Sequence, residues 1–458
     1  MSQNTWKPED DFNRRDVLRL GAAAVGASLA AALPAGAGEG ERQIGPAPDA
    51  LFAAPPIDTV RVGFVGTGLQ GSGHCRNLLR IPGVQLEALC DVVPEKVERV
   101  SQWVVEAGQP APTAYTRGER DFERMCAEED LDLVYTATPW EWHVPVLVAA
   151  MASGKHAATE IPAAYRLEDC WRLVEHAEKH RKHCVMMENC NYDRPEMLVF
   201  NMIQQGLFGE VLHAGCGYLH DLRGIKFEDA NEGLWRRAHA WTRNGNLYPT
   251  HGLGPIAACL DINRGDRFDC LVSMSSPSRG LQLYAQEHFP PDSPKRRETF
   301  ALGDVNVSLI RTANGRTIFL SHDTNLPRPY SRIHLVQGTR GIFQGYPNRV
   351  YIEGRSPEHR WEEMAAYLEE FEHPLWKAIG GSAREAGHGG MDYLEDYRLI
   401  KCLREGLPTD MNVYDAAAIS AVCELTERSV AAGSQPIEFP DFTRGRWRAW
   451  PKLGIVTA

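Results

Sequence analysis

The chain has 458 residues, Lys+Arg 49 against Asp+Glu 60, a formal net charge of −11, and 43% hydrophobic residues. That balance excludes a disordered or collagen-like chain and supplies no basic stripe for a nucleic-acid backbone. The eleven cysteines are scattered without paired spacing, which argues against a disulfide framework, and no long strongly apolar run offers a membrane span. A soluble enzyme of two or three core-forming units, at roughly 150 residues each, is the leading class.

Chain order begins with an address. Asn13-Arg14-Arg15-Asp16-Val17-Leu18-Arg19 precedes an Ala/Gly-rich, weakly apolar stretch from Leu20 to Leu33, then Ala35-Gly36-Ala37. Charged, apolar and small-residue regions in that order predict a signal peptide over 1–37. The Arg14-Arg15 pair makes it the twin-arginine type, so the expected location is periplasmic or secreted. The plain alternative is a tail with a chance arginine pair. Residues 38–57, rich in Gly, Pro and Ala, read as a linker.

A dinucleotide-binding domain follows over 58–185. The apolar run Val60–Val65 predicts a strand and ends in Gly66-Thr67-Gly68-Leu69-Gln70-Gly71, the G-x-G-x-x-G spacing. A helix is predicted over His74–Leu79 and a second strand over Val84–Cys90, closed by Asp91. Gly66 permits the tight turn, Gly68 admits a pyrophosphate, and Gly71 lets helix and strand close together. Asp91 suits the two ribose hydroxyls, and no Arg or Lys follows at once for a 2′-phosphate, so NAD is favoured over NADP. Leu131–Pro139 predicts a buried strand, Trp140-Glu141-Trp142-His143 opens a helix through Ala152, and Gly154–Pro162 gives another strand and turn. Both turns should face the nicotinamide half of the cofactor.

From 186 to 458 an α+β domain with an open, largely antiparallel sheet is predicted, so the fold class is α/β Rossmann followed by α+β. Its signals are a strand at Val185–Tyr192 leading into a helix at Pro195–Gln205, and extended runs at Gly209–Ala214, Val305–Arg311, Thr317–Asp323 and Arg332–Gln337. Helical periodicity runs from Asp392 to Gly433, with a strand at Pro436–Phe439. Asn244–Pro255 reads as a Gly/Pro-rich loop and Pro290–Arg297 as an exposed one.

This order resembles the Gfo/Idh/MocA-type oxidoreductases over nearly all of 58–440. Where that family reads Glu-Lys-Pro, this chain has Glu160-Ile161-Pro162; where D-x-x-x-H is usual, it has His251-Gly252-Leu253-Gly254-Pro255. These departures are similar to glycoside hydrolase family 109, through Thr138–His143, Glu188-Asn189-Cys190, Gly245–Gly252 and Gly387–Tyr393. That resemblance implies NAD-dependent α-N-acetylgalactosaminidase activity. It places NAD contacts, beside the glycine loop, on Leu69, Gln70, Asp91, Trp140, Glu141, Trp142, His143, Glu160, Ile161, Asn189, Arg237 and Tyr248. Sugar contacts fall on Tyr218, Tyr248, Pro249, Thr250, His251 and Tyr330. It also implies a redox-neutral cycle: transient oxidation at sugar carbon 3, proton loss at carbon 2, expulsion of the aglycone from carbon 1, water addition and re-reduction. His251 and Tyr248 are the expected acid/base groups. A resident cofactor suits an exported protein, since the periplasm offers little free NAD. The open sheet of the second domain would be a surface for a homo-oligomer.

Other readings stay open. A sugar or cyclitol oxidoreductase would share the scaffold, with Ile161 in place of lysine against it. A sugar-binding protein with structural NAD is the non-catalytic alternative, and Tyr248 with His251 speaks against it. His251 could be a solvated loop histidine, Trp140 and Trp142 could be packing aromatics, and Asn189 could cap a turn. His176, His180, His183 and Cys184 sit in a charged helical context, so no metal site is expected. His388 and Asp392 could border the site or shape a turn.

Overall fold

The computed structural model describes residues 45–384, 386–454 and 456–457. The predicted signal peptide and residues 38–44 of the predicted linker lie outside them. From residue 47 the linker segment forms neither helix nor strand and bends at Asp49–Ala50, yet it is laid down on other residues. Ala47 and Ala54 are buried, and the Phe52 ring packs 4.7 Å from His183.

A six-stranded parallel sheet comes first: β1 (Val60–Val65), β2 (Val84–Cys90), β3 (Thr113–Tyr115), β4 (Leu133–Thr136), β5 (His156–Thr159) and β6 (Cys184–Met186). Its order, β3-β2-β1-β4-β5-β6, is doubly wound, so the strand order reverses between β1 and β4 and a crevice opens at their carboxyl ends. Helices cover both faces, which is why β4, β5 and β6 are buried throughout rather than alternating. Of the helices, those used below are α1 (Leu69–Arg80), α2 (Pro94–Glu106), α3 (Asp121–Glu128), α4 (Trp140–Ala152), α5 (Leu167–His180), α6 (Arg194–Gln204), α7 (Gly233–Thr242), α8 (Thr250–Cys259) and α9 (Met391–Glu405).

The second sheet has nine strands in the order β14-β13-β12-β11-β7-β10-β9-β8-β15. Its central strands are β7 (Val211–Leu219), β10 (Thr317–Asp323), β9 (Val305–Thr312) and β8 (Phe268–Ser275), with β11 (Leu335–Gly338) on the other side of β7. Beyond these lie β12 (Gly341–Gln344), β13 (Arg349–Ile352), β14 (Glu362–Glu363) and the short β15 (Ile437–Glu438). Every pair is antiparallel except β7 with β10. One face of β9 is apolar and exposed: Val307 is 37% and Leu309 62% accessible, beside Met274 on β8 at 57%.

Three differences from the sequence reading matter for the site. The segment read as one strand up to Tyr192 stops at Met186, and Asn189–Tyr192 is a 3₁₀ turn that aims Glu188 and Asn189 inward. The stretch read as a loop through Pro255 becomes helical at Thr250 despite Gly252, Gly254 and Pro255. Lastly, α9 returns to the first sheet, where Leu394, Leu399 and Leu403 join Val62, Phe64, Leu78 and Leu133 in one core. The carboxyl-terminal half therefore completes the core of the amino-terminal one. All eleven cysteines are unpaired, and all but Cys270 are buried. Among the described residues no helix is long and apolar enough to cross a membrane.

Candidate active site

The glycine loop joins β1 to α1. Gly66 has φ +87°, and a Cβ there would fall 2.8 Å from the Ala137 carbonyl oxygen. A Cβ on Gly71 would lie 1.9 Å from the Gly66 oxygen, so only glycine lets α1 start this close to the strand. At Gly68 the nearest atom to such a Cβ is Lys96 Nζ at 3.9 Å, which leaves an open cradle. No side chain caps α1, and Leu69 beside the cradle is 73% exposed. Free amides facing open space are what a pyrophosphate needs. Asp91 is held by the Thr67 amide at 2.8 Å on Oδ2 and by the Val93 amide at 3.0 Å on Oδ1. These residues fit a dinucleotide. Lys96 and Arg99, which donates to the Thr67 carbonyl at 3.1 Å, add basic groups beside the loop that the motif did not flag.

At the carboxyl end of β4, Trp140 opens α4 and is buried. Its indole stacks on Tyr248 at 5.7 Å and meets Trp235 edge-on at 4.8 Å. Glu141 is exposed. Trp142 is half-buried against Phe122 of α3, 6.1 Å away. His143 is buried, with Nδ1 2.8 Å from the Pro162 carbonyl and Nε2 2.8 Å from that of Thr138. Both ring nitrogens are thereby covered by carbonyl oxygens, and the neutral ring that burial favours donates to one of them, so His143 bridges two turns and has no open polar atom for a cofactor. Glu160 accepts from the Ile161 amide at 3.1 Å and pairs with His74 Nε2 at 2.8 Å. Ile161, where the oxidoreductases carry lysine, is buried at 3% exposure and has no ionisable group to move a proton.

The second wall comes from β7 and α8. Glu188 Oε1 lies 2.7 Å from His251 Nδ1 and accepts the Cys190 amide at 3.0 Å. Glycines make this approach possible: a Cβ on Gly254 would fall 2.7 Å from Glu188 Cγ, and one on Gly252 would fall 2.6 Å from the Gly217 nitrogen. Tyr248 precedes α8, and its ring stands edge-on to His251 at 5.1 Å. Tyr218 on β7 packs 4.5 Å from Tyr248 and 5.4 Å from His251, and its hydroxyl meets His220 Nδ1 at 3.0 Å. Tyr330 closes that side, 6.1 Å from Tyr218 and held at its hydroxyl by Arg332. Pro249 and Thr250 are buried at the start of α8, and the Thr250 hydroxyl has no protein partner. Burial pushes the phenols of Tyr248 and Tyr218 up, Tyr218 to about 12, against the pull of Arg236, so both stay protonated at neutral pH.

Four residues need reassignment or addition. Arg237 faces away from this cluster: it pairs with Glu298 at 3.2 Å and donates to the Lys226 carbonyl at 3.0 Å. Its neighbour Arg236 lies over Tyr248 at 5.1 Å and Trp140 at 5.4 Å, because consecutive residues on α7 point about 100° apart. Glu188 was within a motif but carried no role, and His220 had no signal in the sequence at all. Asn189 donates to Asp392 Oδ1 at 2.7 Å, and Asp392 Oδ2 lies 2.7 Å from His388 Nδ1, so the Gly387–Tyr393 stretch borders the site. His176 and His180 of α5 stack on each other at 5.5 Å, whereas His183 packs under Phe52.

A glycine loop, a paired acid at the end of β2 and an aromatic wall facing it define an NAD(H)-binding enzyme of the Gfo/Idh/MocA class. The family model "Oxidoreductase family, NAD-binding Rossmann fold" matches residues 60–188, and "Glycosyl hydrolase 109, C-terminal domain" matches 192–449. Among solved structures, levoglucosan dehydrogenase in complex with NADH and levoglucosan has a TM-score of 0.62 at 19% identity, covering 83% of this chain and 100% of that one. Scyllo-inositol dehydrogenase from Lactobacillus casei has 0.59 at 13%, covering 84% and 99%. These share the fold. A glycosyl hydrolase family 109 protein of Solibacter usitatus is 48% identical over 443 residues, 96% of this chain and 99% of the relative. One of Shewanella pealeana is 45% identical over 453 residues, 97% and 99%. The chain belongs to glycoside hydrolase family 109.

Proposed function

We propose that the protein is an exported glycosidase that retains NAD through a redox-neutral oxidation–elimination–addition–reduction cycle on α-N-acetylgalactosaminides or related glycosides. The observation that carries this reading is the Glu188–His251 pair, 2.7 Å apart, set among Tyr218, Tyr248 and Tyr330. Direct hydrolysis uses two carboxylates flanking the bond. Here the one acid among these groups, Glu188, is buried and committed to a histidine.

Bound NAD supplies a hydride acceptor, and later a donor, at one sugar carbon. The chain's own residues do the rest. Glu188 accepts the Nδ1 proton of His251, which fixes the tautomer and leaves the Nε2 lone pair to take a hydroxyl proton. Tyr248, kept protonated by burial, donates and orients rather than acting as a base. Trp140 stacks on Tyr248 and excludes water between the two halves of the site. Arg236 holds positive charge against both rings. The exposed face of β8 and β9, with Met274, Val307 and Leu309, supports a homo-oligomer.

The test is incubation with a panel of aryl glycosides in deuterated water without added NAD. Aglycone release with one deuterium at carbon 2 of the freed sugar is expected. Release without deuterium points to direct hydrolysis. NADH formed from free sugars, with no aglycone release, makes the protein an oxidoreductase instead.

A further inference from the structure

Beneath the cofactor crevice lies a buried chain of charge that the reaction above does not use. Asp396 of α9 places its two carboxylate oxygens 3.0 and 2.9 Å from His74 Nδ1, and His74 of α1 places Nε2 2.8 Å from Glu160 Oε1. Asn77 donates to Asp396 at 2.9 Å, and the Tyr135 hydroxyl of β4 lies 3.1 Å from His74 Nδ1. Exposure rises along the chain: the Asp396 side chain is 0% accessible, His74 1% and Glu160 17%. Glu160 is thus the end that reaches the crevice, at the carboxyl end of β5 where doubly wound sheets hold their ligands.

The surroundings fix the charge. A ring with a carboxylate on each nitrogen is satisfied only as imidazolium, since the neutral ring has one N–H. Asp396 and Glu160 hold His74 well above its usual value against the effect of burial. Glu395, the neighbour of Asp396, has both oxygens unpartnered, and burial holds it as the neutral acid. Asp392, one turn earlier on α9, is offset by His388. Cys75 is a buried thiol kept protonated. Burial pushes Asp396 up against the pull of His74 and Asn77. With His74 and Asn77 both turned on its carboxylate, one cation between two anions leaves the triad net negative, and its accessible end is Glu160.

We propose that Asp396 and His74 are positioning residues that hold Glu160 as a fixed anion facing the nicotinamide half of the cofactor, so that the site prefers the cationic oxidised ring to the neutral reduced one. The proposal rests on the NAD reading above. Its physical content is Coulombic: a preorganised carboxylate in a poorly solvated crevice attracts a cation and gains nothing from a neutral ring. A reaction that starts and ends with the oxidised cofactor needs such a bias. Ordinary packing between α9 and α1 does not predict it.

The test is equilibrium binding of NAD+ and NADH, each separately, to protein stripped of nucleotide. NADH is read by fluorescence and NAD+ by competition, for the wild type, His74→Gln, Glu160→Gln and the double variant. Each single variant is expected to lower the preference for NAD+ over NADH by about tenfold, and the double variant no further. Equal weakening of both forms, or an unchanged preference, overturns the proposal in favour of plain packing. Asp396→Asn keeps the volume and the Asn77 neighbour, and supplies the same readout should His74→Gln not fold. No glycoside enters this measurement, so a protein that binds nucleotide but cleaves nothing fails only the glycosidase reading. Wild-type protein that binds neither form overturns both.

Discussion

Glu188 Oε1 receives two donors, the Cys190 amide and His251 Nδ1, and that shared oxygen orients the His251 ring in the aromatic pocket. His251→Ala is expected to lower turnover by about 10²- to 10⁴-fold while NAD still binds, as checked by initial rates beside nucleotide titration. Glu188→Gln keeps the shape but lets the amide present either a donor or an acceptor to Nδ1. A smaller loss, with KM little changed, is the expected outcome, and an unaltered rate removes the pair from the mechanism. His251 and Tyr248 were singled out through the resemblance of their motif, and the fold brings their rings 5.1 Å apart. The choice between Arg236 and Arg237 was not legible, since it depends on the rotation of α7 against the pocket. Glu188 and His220 acquire their roles only through contacts with residues 63 and 2 positions away.

At the scale of elements the decisive piece is α8. Its two glycines and Pro255 lower helix propensity, so a local reading favours a loop. The helix forms because Gly252 and Gly254 let its backbone press on β7 and on the Glu188 turn, and burial outweighs propensity there. Gly254→Val should therefore push α8 away from Glu188, costing about 1–3 kcal/mol in a urea melt. It should also reduce turnover by more than that loss of stability explains. A melt with no shift would mean the approach is looser than the distances indicate. The glycine loop was fully legible in contrast, because there the glycines serve a local turn whose geometry repeats wherever a strand feeds a phosphate-binding helix.

Over the whole molecule, α9 joins the core of the first sheet and carries the buried charges with it. His74 has its value raised well above 6.5, so its contribution is present below that pH and is lost as pH rises through the folded value. Glu160 and Asp392 are held below their ordinary 4.5 and 3.8, against burial, by His74 and His388 respectively; their contributions are lost as pH falls through the folded values. Urea midpoints should pass through a maximum between these limits, and His74→Gln should flatten the alkaline side. A second expectation at this scale concerns assembly. Leu309→Glu on the exposed face of β9 should shift sedimentation from oligomer to monomer, and an unchanged profile would place any interface elsewhere.

The sequence by itself determined the parallel sheet, the glycine loop and the place of Asp91, because hydrophobic period and turn chemistry act over a few residues; the family was legible only through motifs that resemble it. β1 and β2 fall on the runs Val60–Val65 and Val84–Cys90 with no shift. Only the tertiary structure decided that α9 returns to complete the first core, that His143 is a staple with no polar atom to spare, and that Asp396, His74 and Glu160 form one line. Those facts join residues as far apart as 322 positions. No local pattern encodes such pairings; burying apolar faces together brings the polar groups into contact, and the low dielectric around them then fixes their charge.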